Sequence, residues 1–170
     1  MKLYHVDRSN NLFEGKVINL FNDYTLTGEY GEEICDRVKL LYTEGISEHG
    51  DRYLFDGKYP DWIFECYLEN MRLQLFPHCL SRFQSFFALS CEYVDPFLSK
   101  LNIHKDSVQI FEIDSENCFP YDMNIIDKLI SPGVGVTQYH AYRYWSGDRS
   151  ECPLIEYLLP LPITIGKKVH

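Results

Sequence analysis

A chain of 170 residues with 45% hydrophobic and 24% charged side chains carries enough apolar material for one packed domain and lacks the bias of a disordered segment. Its formal net charge of -9 argues against a nucleic-acid-coating role, and no apolar stretch reaches the roughly 20 residues needed to span a bilayer. The Tyr (13) and Phe (11) content favours a dense ring-filled core or an aromatic cleft.

Taken in chain order, Lys2 to Val6 reads as a short strand running into a turn at Asp7-Arg8-Ser9-Asn10-Asn11, and a second strand is predicted near Lys16 to Leu20. From Glu32 to Thr43, Ile34, Val38, Leu41 and Tyr42 recur at helical spacing, with Gly45 as the stop. Residues 46–60 are rich in Gly and Asp and are predicted as a loop. Asp61 is expected to cap a helix carrying Ile63, Phe64, Tyr67, Leu68, Met71 and Leu75, which Pro77 ends. Arg82 to Ala88 reads as an aromatic strand, followed by a helix that ends near Lys100, and Val108 to Ile113 alternates like a strand. A short helix from Asp122 to Ile130 stops at Ser131-Pro132-Gly133, and Gln138 to Trp145 is predicted helical until Ser146-Gly147-Asp148. Leu154 to Leu159 and Ile163 to Ile165 close the chain as two strands separated by Pro160 and Pro162. Strands and helices mix without a βαβ rhythm, so residues 1–170 are expected to form a single α+β domain.

The N-terminal stretch Met1 to Arg8 has no hydrophobic region of signal-peptide length, so a cytoplasmic address without a membrane partner is expected. The cysteines at 35, 66, 79, 91, 118 and 152 form no CxxC pair and read as reduced thiols rather than zinc ligands. No glycine-rich phosphate loop and no Gly-x-Ser-x-Gly elbow occurs.

Three segments stand out for chemistry. His5 lies near the end of the first strand, Ser85-Phe86-Phe87-Ala88 leads into a helix bearing Phe97, and Glu156 is a lone carboxylate within the apolar Ile155-Glu156-Tyr157-Leu158-Leu159. A charge in such a strand is costly if buried unpaired, so Glu156 is expected to face a wet cleft or solvent. The segment His140-Ala141-Tyr142-Arg143-Tyr144-Trp145 interleaves rings with basic groups. It reads either as an amphipathic helix packing its rings on the core or as a surface that stacks nucleobases.

The order of these segments resembles the H-Y-E class of ADP-ribosyltransferases, which includes diphtheria-toxin-like enzymes and poly-ADP-ribose polymerases. Tyr4-His5 matches the class opening, Phe86-Phe87-Ala88 is similar to its Tyr-Phe-Ala strand, and Phe97 stands where a later stacking Tyr falls. Glu156-Tyr157-Leu158 looks like the catalytic strand. Both stacking positions carry Phe, which retains the ring and lacks the hydroxyl, and Val6-Asp7 stands where the class has a small Gly-Ser pair.

The resemblance implies a split β-sheet core with flanking helices and NAD as substrate, with no metal required. It implies that Glu156 stabilises the oxocarbenium-like transition state, much as a carboxylate does in glycoside hydrolysis. It assigns His5 to the adenosine-side ribose, Phe86 and Phe97 to the cationic nicotinamide ring, Arg82 to the pyrophosphate and Ser85 to a nearby hydrogen bond. The implied acceptor is a protein or nucleic acid, and a toxin or effector of this kind would have an antitoxin or immunity partner. The alternatives are an NAD glycohydrolase or phosphorylase, and a catalytically inactive module that binds NAD or ADP-ribose.

Overall fold

A computed structural model describes residues 1–56, 61–127 and 133–170. Its main sheet has five antiparallel strands in the order β4-β1-β3-β6-β5: β1 (Lys2–Asp7), β3 (Ser85–Leu89), β4 (Gln109–Asp114), β5 (Phe119–Asp122) and β6 (Ile155–Pro160). A two-stranded ribbon pairs β2 (Val17–Ile18) with β7 (Ile163–Thr164). The helices are α1 (Gly31–Leu41), α2 (Glu48–Phe55), α3 (Trp62–Leu75), α4 (Cys91–Lys100), α5 (Met123–Ile126) and α6 (Val134–Trp145). This is an α+β fold.

Strand alternation divides the apolar residues between two covered faces. One face carries Leu3, Phe86, Ala88, Phe111, Ile113 and Leu159, and the ribbon closes it with Ile18 and Ile163. On the other face, α4 lays Val94 and Leu98 against Val6, Leu89 and Ile110. Alongside, α3 and α6 bury Leu68, Ala141, Tyr144 and Trp145 against Tyr121 and Leu158. A further cluster joins α1 and α2 to the turn before β3 through Val38, Tyr42, Ile46 and Phe83. Burial on both faces is why the strands lack a clean alternation of apolar and polar residues.

The pairing along the sheet is uneven. β1 registers with β4 over six pairs from Lys2↔Asp114 to Asp7↔Gln109, and β3 registers with β6 over five. Between β1 and β3 the register is the single pair Tyr4↔Leu89. Beyond that pair the His5 ring bridges the two strands, with Nδ1–H donating to the Phe87 carbonyl at 2.7 Å. At the outer edge of β4, residues 166–170 run alongside: Gly166 N donates to Glu112 O, Glu112 N to Lys167 O and Val169 N to Ile110 O. The opposite edge is β5, which carries Pro120.

Several expectations change. Residues 48–55 form α2 rather than a loop. The Ser47 side chain caps it, accepting from Gly50 N at 3.2 Å, a local signal that composition alone obscured. Residues 57–60 of that expected loop, and the predicted helix beyond Asp127 with its stop at Ser131-Pro132, lie outside the described residues. Asp61 precedes α3 but its side chain makes no cap hydrogen bond. The aromatic strand starts at Ser85, because Arg82–Gln84 forms a turn of 3-10 helix capped by Ser81. The second strand shortens to Val17–Ile18, and α6 begins at Val134, ahead of the expected Gln138. β5 was not among the expected strands; it carries Pro120, and its edge position tolerates the missing N–H.

Candidate functional site

Helix α3 buries Glu65, Leu68, Glu69 and Arg72, which fall on one helical stripe at i, i+3, i+4 and i+7. Charge therefore enters the core where an amphipathic helix normally places apolar side chains. The chain leaving α3 turns back at Ser81-Arg82 and delivers partners to both carboxylates. Arg82 Nε lies 2.9 Å from Glu65 Oε2, and Nη2 lies 3.0 Å from Glu65 Oε1. Arg82 Nη1 reaches the other way, to Glu156 Oε1 on β6 at 2.5 Å and to Tyr144 Oη on α6 at 2.6 Å. Tyr144 Oη in turn donates to Glu156 Oε1 at 3.0 Å. One guanidinium thus joins two buried carboxylates from different elements, with its carbon 4.9 Å from the Phe87 ring centre.

α2 adds an imidazole at the edge of this cluster. His49 Nε2 lies 3.2 Å from Glu65 Oε1, within ion-pair reach but off the line of a hydrogen bond. Its ring centre is 4.5 Å from that of Phe87 and 4.8 Å from that of Tyr53, and its side chain is 18% exposed. Gly50 permits the approach of α2: a Cβ there would stand 2.4 Å from the Phe83 carbonyl oxygen, which accepts from Ser47 N and Ser47 Oγ.

The charges set the titration of the cluster. Burial alone would raise the Glu65 carboxyl, but Arg82 and His49 outweigh it and hold the group down at about 2. Burial pulls against the Arg82 charge, yet Glu156 and Glu65 keep its pKa well above the ordinary value. Burial also drives the Tyr144 hydroxyl well above its usual range, so the phenol stays a donor. A neighbouring set is built the same way: Glu69 accepts from Arg72 Nε and Nη2 at 2.9 and 2.8 Å, from Tyr42 Oη at 3.0 Å and from Ser81 Oγ.

The residues singled out from sequence divide between the two faces of the sheet. Arg82, Ser85 and Glu156 lie on the helix-covered face. Ser85 Oγ is occupied there, donating to Ser81 O at 2.6 Å. Glu156 is 4% exposed, so it faces neither a wet cleft nor solvent: Arg82 and Tyr144 make its burial tolerable. Phe97 packs on the same face from α4, in the cluster of Val94 and Leu98. His5 and Phe86 lie on the opposite face, with ring centres 4.3 Å apart, and burial pushes the His5 pKa down. An open cavity of about 490 Å³ beside α4 and the start of β6 is lined by Tyr93, Lys100, Asn124 and Leu154 and contains none of these residues.

A family model described as a protein of unknown function, DUF2441, matches residues 3–170. The chain belongs to the DUF2441 family. No curated protein matches it. The DUF2441 match spans the elements of the charge cluster, from α2 through β6, so Glu65, Arg82, Tyr144 and Glu156 all lie within the family's domain. Glu65 and His49 were not singled out from the sequence, although Glu65 had a signal: a carboxylate four residues before a second one, on a stripe shared with Leu68. His49 had none, since its helix was expected to be a loop. No helix among the described residues is long and apolar enough to cross a membrane. Among the same residues, no group of three or more His, Cys, Asp or Glu could hold a metal.

Proposed function

We propose that this DUF2441 chain is an NAD-dependent ADP-ribosyltransferase that uses Glu156 as its charge-stabilising carboxylate and passes ADP-ribose to a protein or nucleic-acid acceptor. The observation that carries the reading is how Glu156 is held. Arg82 and Tyr144 both bond to Oε1, and neither bond uses Oε2. A carboxylate fixed through one oxygen can direct the other at a ribose hydroxyl or at positive charge developing on the ribosyl carbon. The narrow join of β1 to β3 also supports it, since a split sheet is what the motif resemblance implies.

In the reaction the bond between the ribose carbon and the nicotinamide nitrogen breaks, and its electron pair leaves with neutral nicotinamide. The acceptor nucleophile forms the new bond to that carbon and loses a proton. Glu156 would stabilise the cationic state between these events, while the raised Arg82 and Tyr144 keep Oε1 bonded throughout.

A second reading, an NAD- or ADP-ribose-binding module without turnover, is favoured by the burial of Glu156 and by the placement of His5 and Phe86 on the other face. One experiment separates the two. Purified protein is given NAD, with and without cell lysate, beside Glu156→Gln, which preserves an acceptor for Arg82 and Tyr144. Nicotinamide release that falls by about 100-fold or more in the variant, with label passing to a macromolecule, supports the transferase. Saturable NAD binding without release favours the module, and equal release by variant and wild type removes Glu156 from the chemistry.

A further inference from the structure

The charge count of the buried cluster is odd. Glu65 and Glu156 contribute two negative charges and Arg82 one positive charge, all three being buried. His49 is the fourth member, with Nε2 buried, 3.2 Å from Glu65 Oε1 and without a hydrogen bond. When the imidazole is neutral the cluster keeps a net charge of -1; when it is protonated the four groups sum to zero. Other ionisable groups also bear on this corner. Tyr53 and Arg52 come from α2, Asp61 stands at the head of α3, and Tyr144 comes from α6. Burial raises the Tyr53 and Tyr144 hydroxyls, so both stay neutral near pH 7, and imidazole is the side-chain type whose charge changes in that range. His5, the other histidine near the sheet centre, is on the opposite face and is kept neutral by burial.

We propose that His49 is a positioning residue whose protonation, relayed through Glu65 and Arg82, sets whether the Glu156 cluster carries the negative charge that a cationic ligand requires. This rests on the NAD reading for its ligand: nicotinamide in NAD is a cationic ring, and the ribosyl transition state is also positive. With His49 neutral, the extra negative charge lies on the Glu65–Arg82–Glu156 line, in surroundings where water screens it weakly. With His49 protonated, Glu65 is shared between two cations, Arg82 is drawn less strongly by Glu65 and more fully by Glu156, and the site loses its surplus charge.

The test has two arms. Nicotinamide release from NAD is followed from pH 5.5 to 8 for wild type and His49→Gln. Wild-type kcat/KM should fall by about five-fold or more from pH 8 to pH 6, and the variant by less than about two-fold. An acidic limb that survives in His49→Gln overturns the proposal. Separately, the His49 imidazole is titrated by NMR in wild type and in Glu156→Gln. Losing that negative charge should move the midpoint of the His49 resonances to lower pH. An unchanged titration overturns the coupling. Glu65→Gln replaces Glu156→Gln if the latter does not fold. Because the NMR arm needs no substrate, absence of NAD turnover would count against the transferase reading and leave the coupling to be decided by the titration.

Discussion

Arg82 divides its N–H groups among Glu65, Tyr144 and Glu156, and this sharing constrains how each residue can be tested. Removing one partner of a buried ion pair costs about 3–5 kcal/mol, because the remaining charge is left uncompensated. Arg82 is therefore a poor site for a functional probe, whereas Glu156→Gln changes charge while keeping the acceptor. The same residues predict acid behaviour. Glu65 is held at about 2 against about 4.3 in an unfolded chain, so its contribution is complete above pH 4.3 and lost as pH falls toward 2. His5 is the reverse ionisation. Burial favours its neutral form, so the unfolded chain takes up a proton first and stability drops as pH falls below about 6.5. Urea midpoints measured against pH should show both losses in the wild type. In His5→Asn, which retains a donor for the Phe87 carbonyl, the upper loss should vanish, and its persistence would assign that titration to another group. Glu156 was legible in the sequence as a charge within an apolar strand, whereas Arg82 was reached only through the motif resemblance. Their partners were not, because the Arg82–Glu156 pair joins positions 74 residues apart and depends on strand order.

At the scale of elements, α2 is what brings His49 to the edge of the cluster. It is only eight residues long, and the Ser47 cap, the Gly50 approach and the His49 ring help tie it to the site. Gly50→Ala gains about 1 kcal/mol of helix propensity, but the added methyl meets a backbone oxygen at 2.4 Å that cannot swing aside. The net effect should be a loss of about 1–3 kcal/mol in denaturant unfolding. Stabilisation instead would mean that α2 moves off Phe83 at little cost. The long periodic helices α1, α3 and α4 were readable because each repeats apolar residues over several turns. α2 offered only Tyr53, Leu54 and Phe55 as apolar residues, too few to reveal a period, and β5 was concealed by its own proline. The alternation in β1 and β6 shows that neighbouring residues face opposite ways. It does not show which pairs across strands share a face, and that is why His5 and Glu156 were grouped together and then found apart.

As a whole, the sheet consists of two ribbons, β4-β1 and β3-β6-β5, held side by side by Tyr4↔Leu89 and the His5 bridge. Few hydrogen bonds cross that seam, so it should open before either ribbon does. Native-state hydrogen exchange should find weaker protection for amides of β1 and β3 that face the seam than for those in the β3–β6 pairing; equal protection would show a single cooperative sheet. The outer borders are built differently. Residues 166–170 satisfy the outer backbone groups of β4, and Pro120 interrupts the row of donors along β5. Strand addition, the cheapest way for one sheet to recruit another, is thus closed off on one side and hindered on the other. Along these two edges of the main sheet a companion molecule would meet mostly side-chain relief, since residues 166–170 already engage the backbone of β4.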